Sequence, residues 1–202
     1  INDWGSICQL QKLSIAFMRE FADRIDWVLA SERQVLSEEL IREFSDRVSW
    51  ELICEFQVLS DEFIREFGES VDWWFTLQCQ KVSEATIRKF VHLLDSDLWG
   101  AVSHYVTLSE DFIREFADSV DWYCISRYQT LSNSFVREFI DRLDWYAISE
   151  YQSLSIDFIR EYSSYVCWSK ISRWQRLSNE FTNEFIKLIV WDKYFDNRTL
   201  TL

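Results

Sequence analysis

A tryptophan returns every 23 residues along almost the whole chain. Trp4, Trp27, Trp50, Trp73, Trp99, Trp122, Trp145, Trp168 and Trp191 are spaced by 23 residues seven times and by 26 once. Each of the first eight is followed ten residues later by a serine, at Ser14, Ser37, Ser60, Ser83, Ser109, Ser132, Ser155 and Ser178. Self-similarity at a fixed period marks a repeat array, in which each unit buries its apolar face only by stacking on its neighbours. The unit reads W-x-x-I-S-x-Y-Q-x-L-S-x-x-F-I-R-E-F-x-D-x-V-D, clearest from Trp122 to Asp144. No linker or shift in composition interrupts it. The expected organisation is one array over 1–202, with units at about 4–26, 27–49, 50–72, 73–98, 99–121, 122–144, 145–167 and 168–190, then a partial unit at 191–202.

A single continuous helix is excluded, because 23 residues at 100° each rotate successive tryptophans by about 140°. The unit must bend, and its bends carry helix N-cap residues. Asp precedes Trp at Asp3, Asp26, Asp72, Asp121 and Asp144, and Glu or Asp usually follows the recurring Ser within two positions. Proline is absent and glycine occurs three times, so β-hairpins lack their usual turn residues. The sequence predicts an all-α fold, an α-solenoid of about eight stacked two-helix repeats with a partial C-terminal capping unit. The first helix starts at Trp and runs about eight residues, with Trp122, Ile125 and Ser126 on one side. Its other face is also largely apolar (Leu29, Leu52, Phe75, Ala101, Cys124, Ala147), so it is expected between neighbours with the charged helix outside. Small residues such as Cys8, Ser31, Cys54 and Ser149 would let these helices approach closely. The second helix is expected over the ten residues after Ser. Phe112, Ile113, Phe116 and Val120 form its apolar stripe, with Arg114, Glu115 and Asp118 opposite, Arg114 and Asp118 being spaced to pair. The terminal Trp191–Phe195 run is expected to cover the last core edge.

Charge narrows the partners. With 34 acidic against 21 basic residues and a net charge of -13, direct nucleic-acid binding is not expected. No apolar run approaches the ~18 residues of a membrane span, no cleavable leader precedes Ile1, and the start without Met points to a fragment or an incomplete N-terminus. Five cysteines, an odd number without CxxC spacing, suit a reducing compartment.

The segments LSEDFIREFADSVDWYCISRYQTLS (Leu108–Ser132) and LSDEFIREF (Leu59–Phe67) resemble the short helical repeats of proteins from large double-stranded DNA viruses, giant viruses of protists above all, and of some phage proteins. The resemblance covers essentially the whole chain. It implies a viral repeat protein, with no catalytic residues, no cofactor and no metal attached to it, acting in the virion or the host cytoplasm.

Four sets of residues invite a functional reading. Gln recurs at Gln11, Gln34, Gln57, Gln80, Gln129, Gln152 and Gln175; its amide is expected to satisfy backbone groups at the turn before the Ser cap, against a Gln-lined groove. The arginines Arg19, Arg42, Arg65, Arg88, Arg114, Arg137 and Arg160 are each flanked by acids and read as a solvated ion-pair ladder. Aromatic residues beyond the Trp stripe form two columns. Trp74, Tyr123 and Tyr146 directly follow Trp, while Phe56, Tyr105, Tyr128, Tyr151 and Trp174 lie six residues after it. Contacts between adjacent units are the simpler reading; solvent exposure would make either column a partner-binding surface. Finally, the fourth unit breaks the pattern, with a three-residue insertion and with Thr86 for Phe, Lys89 for Glu, Leu98 for Asp and Val106 for Gln. Here lie both histidines, His92 and His104, with Asp95 and Asp97. A metal or acid–base site is one reading of these four. A helix extended by nearly one turn, making a local partner notch, is the reading the spacing favours, because it matches no ligand motif.

The expected function is a non-enzymatic scaffold or protein-interaction protein, docking viral structural or host proteins along its surface. The alternative is an acidic nucleic-acid mimic that inhibits a DNA-binding protein. Duplex DNA carries one charge per about 1.7 Å, far denser than a net 13 negative charges over the roughly 80 Å that eight layers would span.

Overall fold

Asp and Ser caps divide each repeat into two short helices that need neighbours to persist. In the computed structural model, which describes residues 4–192 and 194, the first helices are Trp4–Leu10, Trp27–Arg33, Trp50–Phe56, Trp73–Cys79, Ser96–Tyr105, Trp122–Tyr128, Trp145–Tyr151 and Trp168–Trp174. The second helices are Ile15–Glu20, Glu38–Glu43, Asp61–Glu66, Glu84–Lys89, Glu110–Glu115, Asn133–Glu138, Ile156–Glu161 and Asn179–Glu184. Among the described residues there is no strand, and the repeated stacking of helix pairs is that of an α-solenoid. The chain forms two compact units, an N-terminal one over Ile1–Ala101 and a C-terminal one over Val102–Leu202. Of the expected Trp191–Phe195 capping run, Lys193 and Phe195 lie outside the described residues; Tyr194 is buried and Trp191 exposed.

All eight serines cap their helices by accepting from the backbone N–H three residues on, as Ser109 does from Phe112 at 3.2 Å. Asp26, Asp72, Asp121 and Asp144 do the same for the first helices. The second helix is shorter than its apolar pattern suggests, six residues rather than ten. At Phe116 the backbone leaves the helical region (φ -111°, ψ 29°), and the next carbonyl turns away to a partner outside the helix. Trp122 Nε1 donates to Ala117 O at 2.9 Å, and Arg142 of the following repeat donates to the same oxygen at 2.7 Å. The indole bond recurs at Trp27, Trp50, Trp73, Trp145 and Trp168, so the repeated Trp is a helix stop as well as a core ring.

The core lies between the two helix layers. Phe63, Phe112, Phe135, Phe158 and Phe181 are fully buried, with Trp rings against them, as Trp145 lies 6.3 Å from Phe158 and 5.5 Å from Tyr162. Trp145, Leu154 and Tyr162 pack against two successive clusters, so the apolar core runs on from one repeat to the next.

Two polar columns lock neighbouring repeats. Gln57 Oε1 accepts from Leu36 N at 2.9 Å, and its Nε2 donates to Ser31 O and Gln34 O, both at 2.8 Å. Gln34, Gln80, Gln129, Gln152 and Gln175 repeat these three bonds. The amide thus satisfies the end of the preceding repeat's first helix, one repeat away from the turn beside it. The small residue four after Trp does more than allow close approach. Ser126 Oγ donates to Trp122 O at 2.6 Å and accepts from Asp144 N at 3.0 Å, tying one first helix to the cap of the next. Ser31, Ser149 and Ser172 repeat the relay, and the Cys54 thiol takes the Asp72 N–H in the same way.

Candidate docking surface

Within each unit consecutive first helices pack side by side, as Trp27–Arg33 does between Trp4–Leu10 and Trp50–Phe56, which is the expected place between neighbours, and part of each first helix's far side stays open. The residues one and six positions after Trp point outward there: Trp74, Tyr123, Tyr146, Phe56, Tyr105, Tyr128, Tyr151 and Trp174 are all exposed. On the helix wheel the third, fourth and seventh residues share the side of Trp, while the first and sixth flank the second, which from the second repeat on is buried or half-buried, as Ala101 and Ala147 are.

In the C-terminal unit three of the sixth-position rings, Tyr105, Tyr128 and Tyr151, are also linked, through His104 and Arg127. The His104 ring stacks on Tyr105 at 4.1 Å and on Tyr128 at 3.9 Å. One step on, the Arg127 guanidinium lies 5.2 Å from the Tyr128 ring and 4.6 Å from Tyr151. Arg127 Nη1 donates to Tyr123 Oη at 2.9 Å, while its Nε is closed off without a hydrogen-bond partner, a position that weakly hydrated guanidinium tolerates better than ammonium. Lys170 pairs with Glu150 at 2.7 Å and lies 4.4 Å from the Tyr146 ring; its bonds to Glu150 and Tyr146 raise its pKa above the ordinary lysine value. Arg173 sits 5.1 Å from Trp174. The stripe Tyr105, Tyr128, Tyr151, Trp174 therefore sets one ring per repeat, each 43–49% exposed, beside planar or cationic neighbours. All these rings face solvent, and Tyr128, Tyr151 and Tyr146 also contact the adjacent repeat, through His104, Arg127 and Lys170. Arg127, Lys170 and Arg173 escaped the sequence reading, although the residue preceding each ring, His104, Arg127, Glu150 or Arg173, was the available signal.

The remaining candidates have separate surroundings. The insertion forms a 3₁₀ turn, Val91–Leu93, and the helix that follows begins three residues before Trp99, the extension the spacing suggested. Asp95 Oδ1 accepts from Asp97 N at 3.1 Å and Leu98 N at 2.9 Å, so it caps that helix, and Asp97 is exposed. His92 meets Glu69 at 3.2 Å, whereas His104 belongs to the ring stack. Among the described residues no three His, Cys, Asp or Glu side chains gather as a metal site requires. No described helix is long and apolar enough to cross a membrane, and all five cysteines are free.

The arginine column is an ion-pair ladder with different rungs from those expected. Arg114 bonds Glu138 of the next repeat at 2.9 Å and Asp111 at 2.9 Å, while Asp118 pairs with Arg142. The helix ends at Glu115, so Asp118 no longer stands one turn above Arg114. Arg19–Glu43, Arg42–Glu66, Arg137–Glu161 and Arg160–Glu184 make the same step between repeats. Where Lys89 replaces the Glu, Arg65 turns to Asp61 at 2.6 Å and to the Thr86 hydroxyl at 3.3 Å. Burial works against ionisation of Asp61, but hydrogen bonds from Ser83 and Thr86 and the charge of Arg65 outweigh it and lower its pKa.

Comparison of the chain with protein-family models, curated proteins and solved structures finds no match.

Proposed function

We propose that the protein is a non-enzymatic helical-repeat scaffold that docks other proteins on the outward face of its first helices, chiefly along the stripe from Tyr105 to Trp174. The observation that carries this is the row of half-exposed rings, one per repeat, of which Tyr105, Tyr128 and Tyr151 are already held against His104 and Arg127. Tyr, Trp and Arg dominate binding energy at protein interfaces, and rings held in place before contact lose little conformational entropy on binding. Tyr128 already carries the His104 ring stacked on it at 3.9 Å and the Arg127 guanidinium 5.2 Å from its centre, which favours edge and hydroxyl contacts with protein over the open stacking platform that nucleobases use. Support for a viral setting comes from the repeat motif alone.

The test is affinity capture from the native source with the wild-type chain and with Tyr128→Ala/Tyr151→Ala, read by quantitative mass spectrometry. A partner captured stoichiometrically by the wild type should be lost with the double variant. Equal capture by a double variant of unchanged circular dichroism refutes the reading.

A further inference from the structure

The two units present first-helix faces of opposite character. In the N-terminal unit the outward positions carry Glu32, Glu51 and Glu55 against Arg33, which Glu32 holds at 2.9 Å. Glu51 and Glu55 are exposed, lie one turn apart on one helix and have no cationic partner among the described residues. Around them the apolar side chains are bare: Val35 is 82% and Val58 92% exposed, with Val28 and Phe56 about half exposed. The loop lysines Lys12 and Lys81 belong to the outer repeats of this unit, so its middle two repeats make an acidic, apolar stretch. In the C-terminal unit the outward positions carry Arg127, Lys170 and Arg173 against Glu150, which Lys170 holds. Arg127 and Arg173 have no carboxylate partner among the described residues.

We infer that the aromatic, cationic face of the C-terminal unit docks on the acidic, apolar face of the N-terminal unit in a second copy of the chain. This rests on the reading of the C-terminal face as a docking surface and names one occupant for it. Charge is complementary, with unpaired arginines on one side and unpaired glutamates on the other. Both faces step by the same 23-residue repeat; the two glutamates share one helix, whereas Arg127 and Arg173 stand two repeats apart, so one arginine at a time meets the Glu51–Glu55 pair. Tyr105, Tyr123, Tyr128, Tyr146, Tyr151 and Trp174 would each cover about 100 Å² of exposed ring, on the order of 600 Å² together, close to the ~800 Å² per partner of a standard interface. Because each copy carries both faces, the same contact closes into a dimer or grows head to tail.

Sedimentation velocity on the full chain across the micromolar range should give a mass that rises with concentration and falls back toward monomer at high salt. Arg127→Glu/Arg173→Glu and Glu51→Arg/Glu55→Arg should each weaken self-association at least about tenfold with unchanged circular dichroism. An equimolar mixture of the two variants should restore a complex, since each supplies the face the other needs. A wild-type chain that stays monomeric throughout, association indifferent to both charge reversals, or a mixture that fails to restore it would overturn the proposal. If the chain is monomeric and Tyr128→Ala/Tyr151→Ala still loses a foreign partner, self-docking fails while the docking surface stands; if neither effect is seen, both fail.

Discussion

Gln57→Ala should loosen the joint between the Trp27 and Trp50 repeats. The Gln57 side chain is 7% exposed, and its amide is the partner of Leu36 N, Ser31 O and Gln34 O. The two carbonyls sit at the end of helix Trp27–Arg33, where no intrahelical donor remains. Each buried polar group left without a partner costs about 1–3 kcal/mol; with water entering part of the emptied space, the loss should be about 3–5 kcal/mol. Gln11, whose side chain is exposed, supplies the control: Gln11→Ala should change stability by no more than ~0.5 kcal/mol. Stability in such arrays is a sum of unit and interface terms, so a weakened joint should broaden or split the urea transition. Hydrogen exchange locates the effect: the Leu36 amide should lose protection, whereas the Leu59 amide, held by Gln80, should keep it. Gln57→Glu sets a carboxylate against two carbonyl oxygens, which raises its pKa in the folded state. The folded protein then binds more protons than the unfolded one, so this variant should regain stability as pH falls through that raised value. Gln57→Ala no more costly than Gln11→Ala, or an unchanged Leu36 amide, would refute the clasp as the element that joins repeats.

Other perturbations test the remaining parts. Trp145→Ala removes the ring between Phe158, Tyr162 and Tyr165 and the indole bond to Ile140 O, and should cost about 3–5 kcal/mol by urea denaturation; a near-neutral result would mean the ring is not core. A Cβ on Gly68 would lie 2.1 Å from Cζ of the buried Phe90 ring, so Gly68→Ala should destabilise by about 1–3 kcal/mol, and Phe90→Leu in the same chain should recover part of that. Burial and the neighbouring Asp121 push the Cys124 thiol up to about 11, leaving about one thiolate per thousand at pH 8; iodoacetamide mapping should find exposed Cys79 modified first and Cys124 modified only as the pH approaches 11. Since the pKa of Asp61 lies below its ordinary 3.8, its bonds stabilise the fold above that value and are lost as pH falls through the depressed one. The stability gap between wild type and Asp61→Asn should therefore be widest near neutral pH and close in acid.

Much of this architecture is legible because a repeat shows the same local chemistry eight times. The Ser and Asp caps, the Phe–Ile stripe and the buried Ser column follow from helix geometry at fixed spacing, and each appears where its spacing puts it. Side-chain destinations are less legible. A Gln amide that must meet backbone groups can be inferred from its inward position, but not that they belong to the repeat before. Arg114 and Asp118 have the spacing of a helix pair, yet the Trp122 indole draws Ala117 O out of the helix before that spacing can act. The docking stripe lay between: its rings were visible in the sequence, while the role of Arg127 and Lys170 beside them was not.

Sequence by itself determined the period, the two short helices, the all-α class and which residues of each helix are apolar, because these depend on interactions within about ten residues. Only the tertiary structure decided what each repeat does to its neighbour: the Gln clasp, the Ser relay, the Arg–Glu rungs, and the outward face that carries His104 and Arg127 between tyrosine rings. Those contacts join residues 18 to 26 apart in sequence, and their partners are set by how one helix pair lies on the next.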